Sequence, residues 1–156
     1  MKLVFKLILV VLIGLLSKGL YSQDYRELDN EKGISVKPIM AKSLPLVEEF
    51  ENKGFEIVRI EFDLIFDSKT TLRNLHKGYV YAIVAFGDYR VADIDIEVYK
   101  DVDGKWILIE KDTDEKSTAV ITTEPSSKGL YRIDVKVYKF EADYKAGHYG
   151  VMILHN

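Results

Sequence analysis

Three acidic clusters carry the plainest chemistry in this 156-residue chain: Asp93 with Asp95, Asp101 with Asp103, and Asp112 with Asp114 and Glu115. Hard divalent cations want several oxygen ligands converging at about 2.4 Å, so carboxylates gathered in turns are the raw material for a calcium site. Asp93 and Asp95 are two residues apart, which puts them on one side of a strand, from where they can meet the loop carrying Asp112 and Asp114 across a hairpin. These four are the candidate metal ligands, and Ca2+ is the one cofactor the sequence suggests. The competing reading is a solvated face whose charges keep a sheet edge from pairing with other chains. The EF-hand register fails: Asp101, Asp103, Gly104 and Glu110 fall at positions three, five, six and twelve, but Tyr99 stands at position one.

Catalytic chemistry has little to draw on. His76, His148 and His155 are the only histidines, and the chain contains no Gly-x-Ser-x-Gly, no His-Glu-x-x-His and no glycine-rich phosphate loop. His76 sits in the polar stretch from Asn74 to Gly78, His148 reads as a strand residue beside Gly147, and His155 reads as part of a frayed terminus. Glycosidase-type carboxylate pairing is spatial, and spacing does not decide it. The expectation is a protein that is not an enzyme. Ten tyrosines favour recognition instead, since each offers a flat apolar area and a hydrogen-bonding tip. Tyr89, Tyr99, Tyr138 and Tyr144 fall on solvent faces or in loops; Tyr99 and Tyr138, with Trp106 close by across a hairpin, are the candidate ligand-binding residues.

The elements that must position these groups are mostly strands. Val58, Ile60, Phe62, Leu64 and Phe66 alternate with Arg59, Glu61 and Asp63, which predicts a strand with the first set buried and the second solvated. Tyr79 to Phe86 is apolar on both faces and predicts a central strand. Ile94, Ile96 and Val98 alternate with Asp93, Asp95 and Glu97; a turn rich in Asp and Gly follows at Lys100 to Gly104, and Trp106 to Glu110 returns as a hairpin. Ala119 to Thr123, Tyr131 to Tyr138 and Tyr149 to Ile153 complete about seven to eight strands. Connections this short exclude parallel βαβ units. One short amphipathic helix precedes them at 43–53, with Ser43 as cap, Pro45 in the first turn, Leu46, Val47 and Phe50 as its apolar stripe, and Gly54 as its stop. The fold class is therefore mainly β, an antiparallel jelly-roll-like β-sandwich.

Residues 1–22 have the order of a secretory signal peptide: Lys2 and Lys6, an apolar run from Leu7 to Leu16, then Ser22 at the cut. That run is too short to span a bilayer, which takes about 20 apolar residues, so no transmembrane segment is expected after cleavage. Residues 23–42 read as a polar tether and 43–156 as the sandwich domain. With no cysteine there is no disulfide, no lipid-modified cysteine and no thiol chemistry. Removing Lys2, Lys6 and Lys18 leaves 19 Lys and Arg against 25 Asp and Glu, a net charge near −6. Such an acidic chain is unsuited to nucleic acid. An exported protein is expected, periplasmic or extracellular, in an envelope of the Gram-negative type.

The strings YVYAIVAFGD, DIDIEVYKDVDGKWILIEKDTDEKSTAVITTEP, GLYRIDVKVY and AGHYGVMI together resemble the bacterial pre-peptidase C-terminal domain, over about residues 60–154. The most specific element is the acidic-alternating strand Asp93 to Val98, its Asp-Gly turn, and the later strand start from Gly129 to Tyr131. The resemblance implies a jelly-roll β-sandwich similar to the collagen-binding modules of bacterial collagenases, with a non-catalytic accessory role and, in some relatives, bound calcium. Two readings of function follow. One is an accessory module that binds a protein or polysaccharide surface through an aromatic sheet face; the other is a structural envelope subunit, calcium-stabilised, that uses its helix and tether to join a larger assembly.

Overall fold

The computed structural model describes residues 35–156; the expected signal peptide and residues 23–34 of the expected tether lie outside the described residues. One helix, α1 (Lys37–Asn52), precedes eight strands: β1 (Glu56–Ile65), β2 (Ser68–Leu75), β3 (Tyr81–Gly87), β4 (Val91–Val102), β5 (Lys105–Asp112), β6 (Thr118–Thr123), β7 (Gly129–Phe140) and β8 (Gly147–His155). They form two antiparallel four-stranded sheets in the orders β1-β8-β3-β6 and β2-β7-β4-β5, the double-sheet jelly-roll arrangement. Among the described residues no helix is long and apolar enough to cross a membrane.

The interior has two layers. Ile83, Ala85, Ile121, Val151 and Ile153 of the first sheet meet Ile94, Ile96, Val98, Ile133 and Val135 of the second, all buried. On its other side the first sheet presents Ala82, Val84, Phe86, Met152 and Leu154 to Ile39 and Phe50 of α1. Strand β3 is buried along its whole length because it lies between β8 and β6 and is covered on both faces, as its apolar composition predicts. The β4–β5 hairpin closes on Asp103 and Gly104 alone, at φ of 52° and 76°, the left-handed pair that a two-residue turn requires.

Three local expectations change. The helix starts at Lys37, six residues before Ser43, so residues 37–42 belong to it and the tether cannot extend through them. Pro38 fills the first-turn position foreseen for Pro45, while Pro45 lies inside the helix. Ser43 is no cap; it is buried and its hydroxyl donates to the Met40 carbonyl at 2.6 Å. Gly54 does end the helix: its N–H reaches the Glu51 carbonyl and that of Phe55 the Phe50 carbonyl, with the two phenylalanine rings 5.7 Å apart. Strand β1 has the predicted alternation with its faces reversed. Arg59, Glu61 and Asp63 pair with the inward residues Ile153, Val151 and Tyr149, whereas Ile60 and Phe62 lie on the helix side. Val58 is 55% exposed, because β1 is an edge strand that neither the second sheet nor α1 fully covers, and Phe66, just past the end of β1, is 66% exposed. Strand β2 is not among the expected strands; it pairs along its whole length with β7.

Candidate functional site

Because α1 covers the outer side of the first sheet, the open sheet face of the sandwich is the outer side of β2-β7-β4-β5. Alternation along β4 turns Asp95, Glu97 and Tyr99 outward while Ile94, Ile96 and Val98 are buried; along β7 it does the same for Arg132, Asp134, Lys136 and Tyr138. The register sets Tyr99 beside Arg132, Glu97 beside Asp134, and Asp95 beside Lys136. On the far side of β4, Leu108 lies opposite Tyr99 and Trp106 opposite Asp101.

The Arg132 guanidinium is the centre of this face. It stacks 4.3 Å from the Tyr99 ring centroid and 5.1 Å from that of Trp106, and its Nε donates to Asp134 at 3.0 Å. Thr70 of β2 donates to the other Asp134 oxygen at 2.8 Å. The Tyr99 hydroxyl donates to Glu97 at 2.5 Å, and that bond holds its pKa above the usual tyrosine value, so the phenol stays neutral. A planar cation between two aromatic rings, its orientation fixed by a carboxylate, is a rigid amphipathic patch. Beside it a shallow depression of about 370 Å³ is lined by Ser68, Thr70, Asp95, Glu97, Asp134 and Lys136, and ends at Tyr138, whose ring is 73% exposed.

Of the expected binding residues, Tyr99 and Trp106 are thus gathered around one cation, and Tyr138 stands on the same face at the other end of the depression. Arg132 was missing from the expected set; its only signal was its place in the outward alternation of β7. Tyr89 and Tyr144 pair edge to face with each other at 6.0 Å.

The expected metal ligands take other partners. Asp93 is buried and accepts the Lys116 backbone N–H at 3.3 Å. Asp112 accepts the backbone N–H groups of Asp114 and Val120, and Asp114 is held by the Lys116 ammonium at 2.7 Å. Asp95 has its pKa raised, first by burial and then by the neighbouring Asp93 and Asp112 carboxylates. Asp95 thus feels the charges of both Asp93 and Asp112, yet among the described residues no three His, Asp or Glu side chains are arranged to hold a metal ion. The Asp101 carboxylate accepts the Gly104 N–H within the hairpin turn.

The histidines are placed by the sheets. His155 is paired with Tyr81 and Glu56 as the last residue of β8, so the terminus is not frayed. His148 joins a buried cluster at the β3–β4 corner: Asp88 accepts from Arg90 Nη2 at 2.6 Å and from the His148 backbone N–H at 3.0 Å, and Arg90 Nη2 also lies 2.9 Å from His148 Nδ1. An arginine nitrogen only donates, so Nδ1 is the acceptor there. From α1, Lys42 reaches this corner and donates to the carbonyls of Gly87 and Ser117, its pKa lowered by burial. The cluster ties two strand ends and the helix together.

These features define the class of the molecule: an eight-stranded jelly-roll β-sandwich with one covered and one open sheet face. No family model matches the chain, and no curated protein does. Among solved structures the chain is similar to the pre-peptidase C-terminal domain of collagenase from Bacillus anthracis, at 11% identity and a TM-score of 0.47, covering 61% of this chain and 87% of that one. It is also similar to PliG of Aeromonas hydrophila, described as a periplasmic inhibitor of g-type lysozyme, at 10% identity and a TM-score of 0.45, covering 65% and 86%. A third similar structure is CorA of Methylomicrobium album BG8, described as a surface-associated copper-binding protein, at 10% identity and a TM-score of 0.48, covering 60% and 91%. All three are likenesses of fold.

Proposed function

We propose that this chain is an exported, non-catalytic recognition module that binds a protein or polysaccharide surface through the outer face of the β2-β7-β4-β5 sheet. The observation that carries the reading is the stacking of Arg132 on Tyr99 and Trp106, on the sheet face that α1 leaves open. Flat rings present area at low entropic cost, and the charged groups around them supply directional hydrogen bonds, the combination that concentrates binding energy at protein surfaces. The test is co-sedimentation of the full chain with chitin, cellulose and peptidoglycan sacculi, together with capture on immobilised collagen and lysozyme. Binding to at least one of these that Arg132→Ala and Tyr99→Ala both abolish supports the reading; binding that neither variant changes overturns it.

One observation favours a structural subunit of a larger assembly instead. Val36, Met40 and Leu44 recur every four residues along one side of the helix and are 41%, 48% and 62% exposed. Against it, Phe50 is buried and Leu46 packs onto the same cluster, so the stripe foreseen as a docking face is already used internally. The recognition reading is the one the geometry supports best.

A further inference from the structure

Where β1 and β2 meet at one lateral edge, the two sheets stay apart and leave a cleft of about 530 Å³, within the range of small-ligand sites of about 300–1,000 Å³. The reversed faces of β1 explain its character. Arg59 of β1 and Arg73 of β2 both point into the gap, joined by His76, His155, Tyr79 and Tyr81, and no carboxylate belongs to the lining. That is an unusual composition in a chain with more acids than bases. Glu61 lies just beyond and accepts from both Arg59 and Arg73, so one carboxylate answers two guanidiniums and the cleft keeps a positive excess. Two of its lining residues also carry buried nitrogens with no hydrogen-bond partner among the described residues, Arg73 Nε and His155 Nδ1. A buried polar group left unpaired costs about 1–3 kcal/mol, and the Arg73 Nε–H, which can only donate, lacks an acceptor on one side of the cleft while the His155 ring nitrogen is unpaired on the other.

The rest of the cleft suits a ring. Tyr79 is 44% exposed and packs its edge 4.7 Å from the His155 ring, while Val58 and Ile153 supply apolar wall. Asn74 stands beside them with amide groups suited to hydroxyls.

We propose that this cleft is a second binding site, distinct from the sheet face, that takes a pyranose bearing an anionic group, the ring against Tyr79 and the anion toward Arg73 and His155. Carboxylate and sulfate offer the same planar or forked acceptors to a guanidinium, and the test separates them.

The test is NMR titration of the full chain with D-glucuronate, D-glucose 6-sulfate, D-glucose, acetate and inorganic sulfate. The expected result is saturable binding of one or both sugar anions, with glucose and the bare anions at least about tenfold weaker. Shifts should centre on Tyr79, Tyr81 and His155, and the emission of Trp106, the only tryptophan, should not change. Glucuronate binding alone assigns a carboxylate ligand, and sulfate-sugar binding alone a sulfated one. Arg73→Gln and the exposed Arg59→Gln should each weaken binding, as should Tyr79→Ala. Binding of glucose equal to that of the anions, bare anions binding as tightly as the sugars, or no binding of either sugar anion at tens of millimolar each overturns the proposal. A response reported by Trp106 and untouched by the cleft variants would also overturn it, because it would place the ligand on the sheet face.

Discussion

Asp88 is the position where loss of a single carboxylate should cost most. Its carboxylate is buried, and it accepts from the Arg90 backbone N–H at 2.9 Å, from Arg90 Nε at 3.0 Å and Nη2 at 2.6 Å, and from the His148 backbone N–H at 3.0 Å. Arg90 is only 5% exposed, so Asp88→Ala removes the carboxylate that balances the charge of a guanidinium in the interior. Removing one member of a buried ion pair costs about 3–5 kcal/mol, since the remaining charge loses its partner without regaining water. Measured stabilities are about 0.05–0.15 kcal/mol per residue, so the loss is a large share of the total for a domain of this size. With about 2–8 °C of midpoint per kcal/mol across small and mid-sized domains, Asp88→Ala should melt at least about 6 °C below the wild type. The assay is urea unfolding followed by circular dichroism, with Asp88→Ala, Arg90→Met and the double variant. Removing both charges should recover part of the single-variant loss, because no uncompensated ion remains. A loss under about 1 kcal/mol for Asp88→Ala, or a double variant no better than the singles combined, would refute the reasoning.

Gly150→Ala should lower stability by about 1–3 kcal/mol, because its new Cβ would lie 2.4 Å from Phe86 Cζ in the layer beneath the helix; a thermal melt checks it. Asp95→Asn should stabilise the fold at neutral pH by about 0.5 kcal/mol, by removing a partly buried charge and its repulsion with Asp93 and Asp112. Asp95 is held above the ordinary carboxylate value, so its contribution is fully present below the unfolded pKa and is lost as pH rises through the folded one. The gain should therefore shrink to nothing as pH falls below about 4, and a gain that persists in acid would contradict the assignment. Millimolar Ca2+ should leave the melting midpoint of EDTA-treated protein unchanged, since Asp93, Asp112 and Asp114 already accept hydrogen bonds from backbone or Lys116; a rise that Asp95→Asn abolishes would restore a metal site. Lys42→Met should destabilise, because the Gly87 and Ser117 carbonyls lose the ammonium that joins helix to sheet.

What the sequence made legible follows from how strongly burial constrains composition. Strand β3 had to be apolar on both sides to lie mid-sheet, and the β4–β5 turn had to use residues tolerant of positive φ, so both could be read directly. Strand β2 could not. Its residues SKTTLRNL bury only Leu75, because it is an edge strand held mainly by backbone pairing to β7. The alternation of β1 was readable, but which side faced the core was not: a helix-covered sheet has two apolar sides, and an edge strand can point charge into an open gap. The aromatic candidates Tyr99 and Trp106 were visible by type, whereas Arg132 became recognisable only once β7 was set beside β4. The acidic clusters were visible by type, but not the backbone N–H groups and lysine that Asp93, Asp112 and Asp114 accept from, because turn geometry uses carboxylates as readily as a cation does.

The most direct test of sheet-face recognition is the emission of Trp106 during titration with soluble fragments of whichever surface retains the chain in co-sedimentation. Trp106 is the single tryptophan and sits against Arg132, so a ligand on this face must alter its surroundings. The account predicts a saturable shift in emission with wild type that Arg132→Ala removes while the circular dichroism spectrum stays the same. Saturable binding with no change in Trp106 emission, and with full affinity in Arg132→Ala, would contradict it.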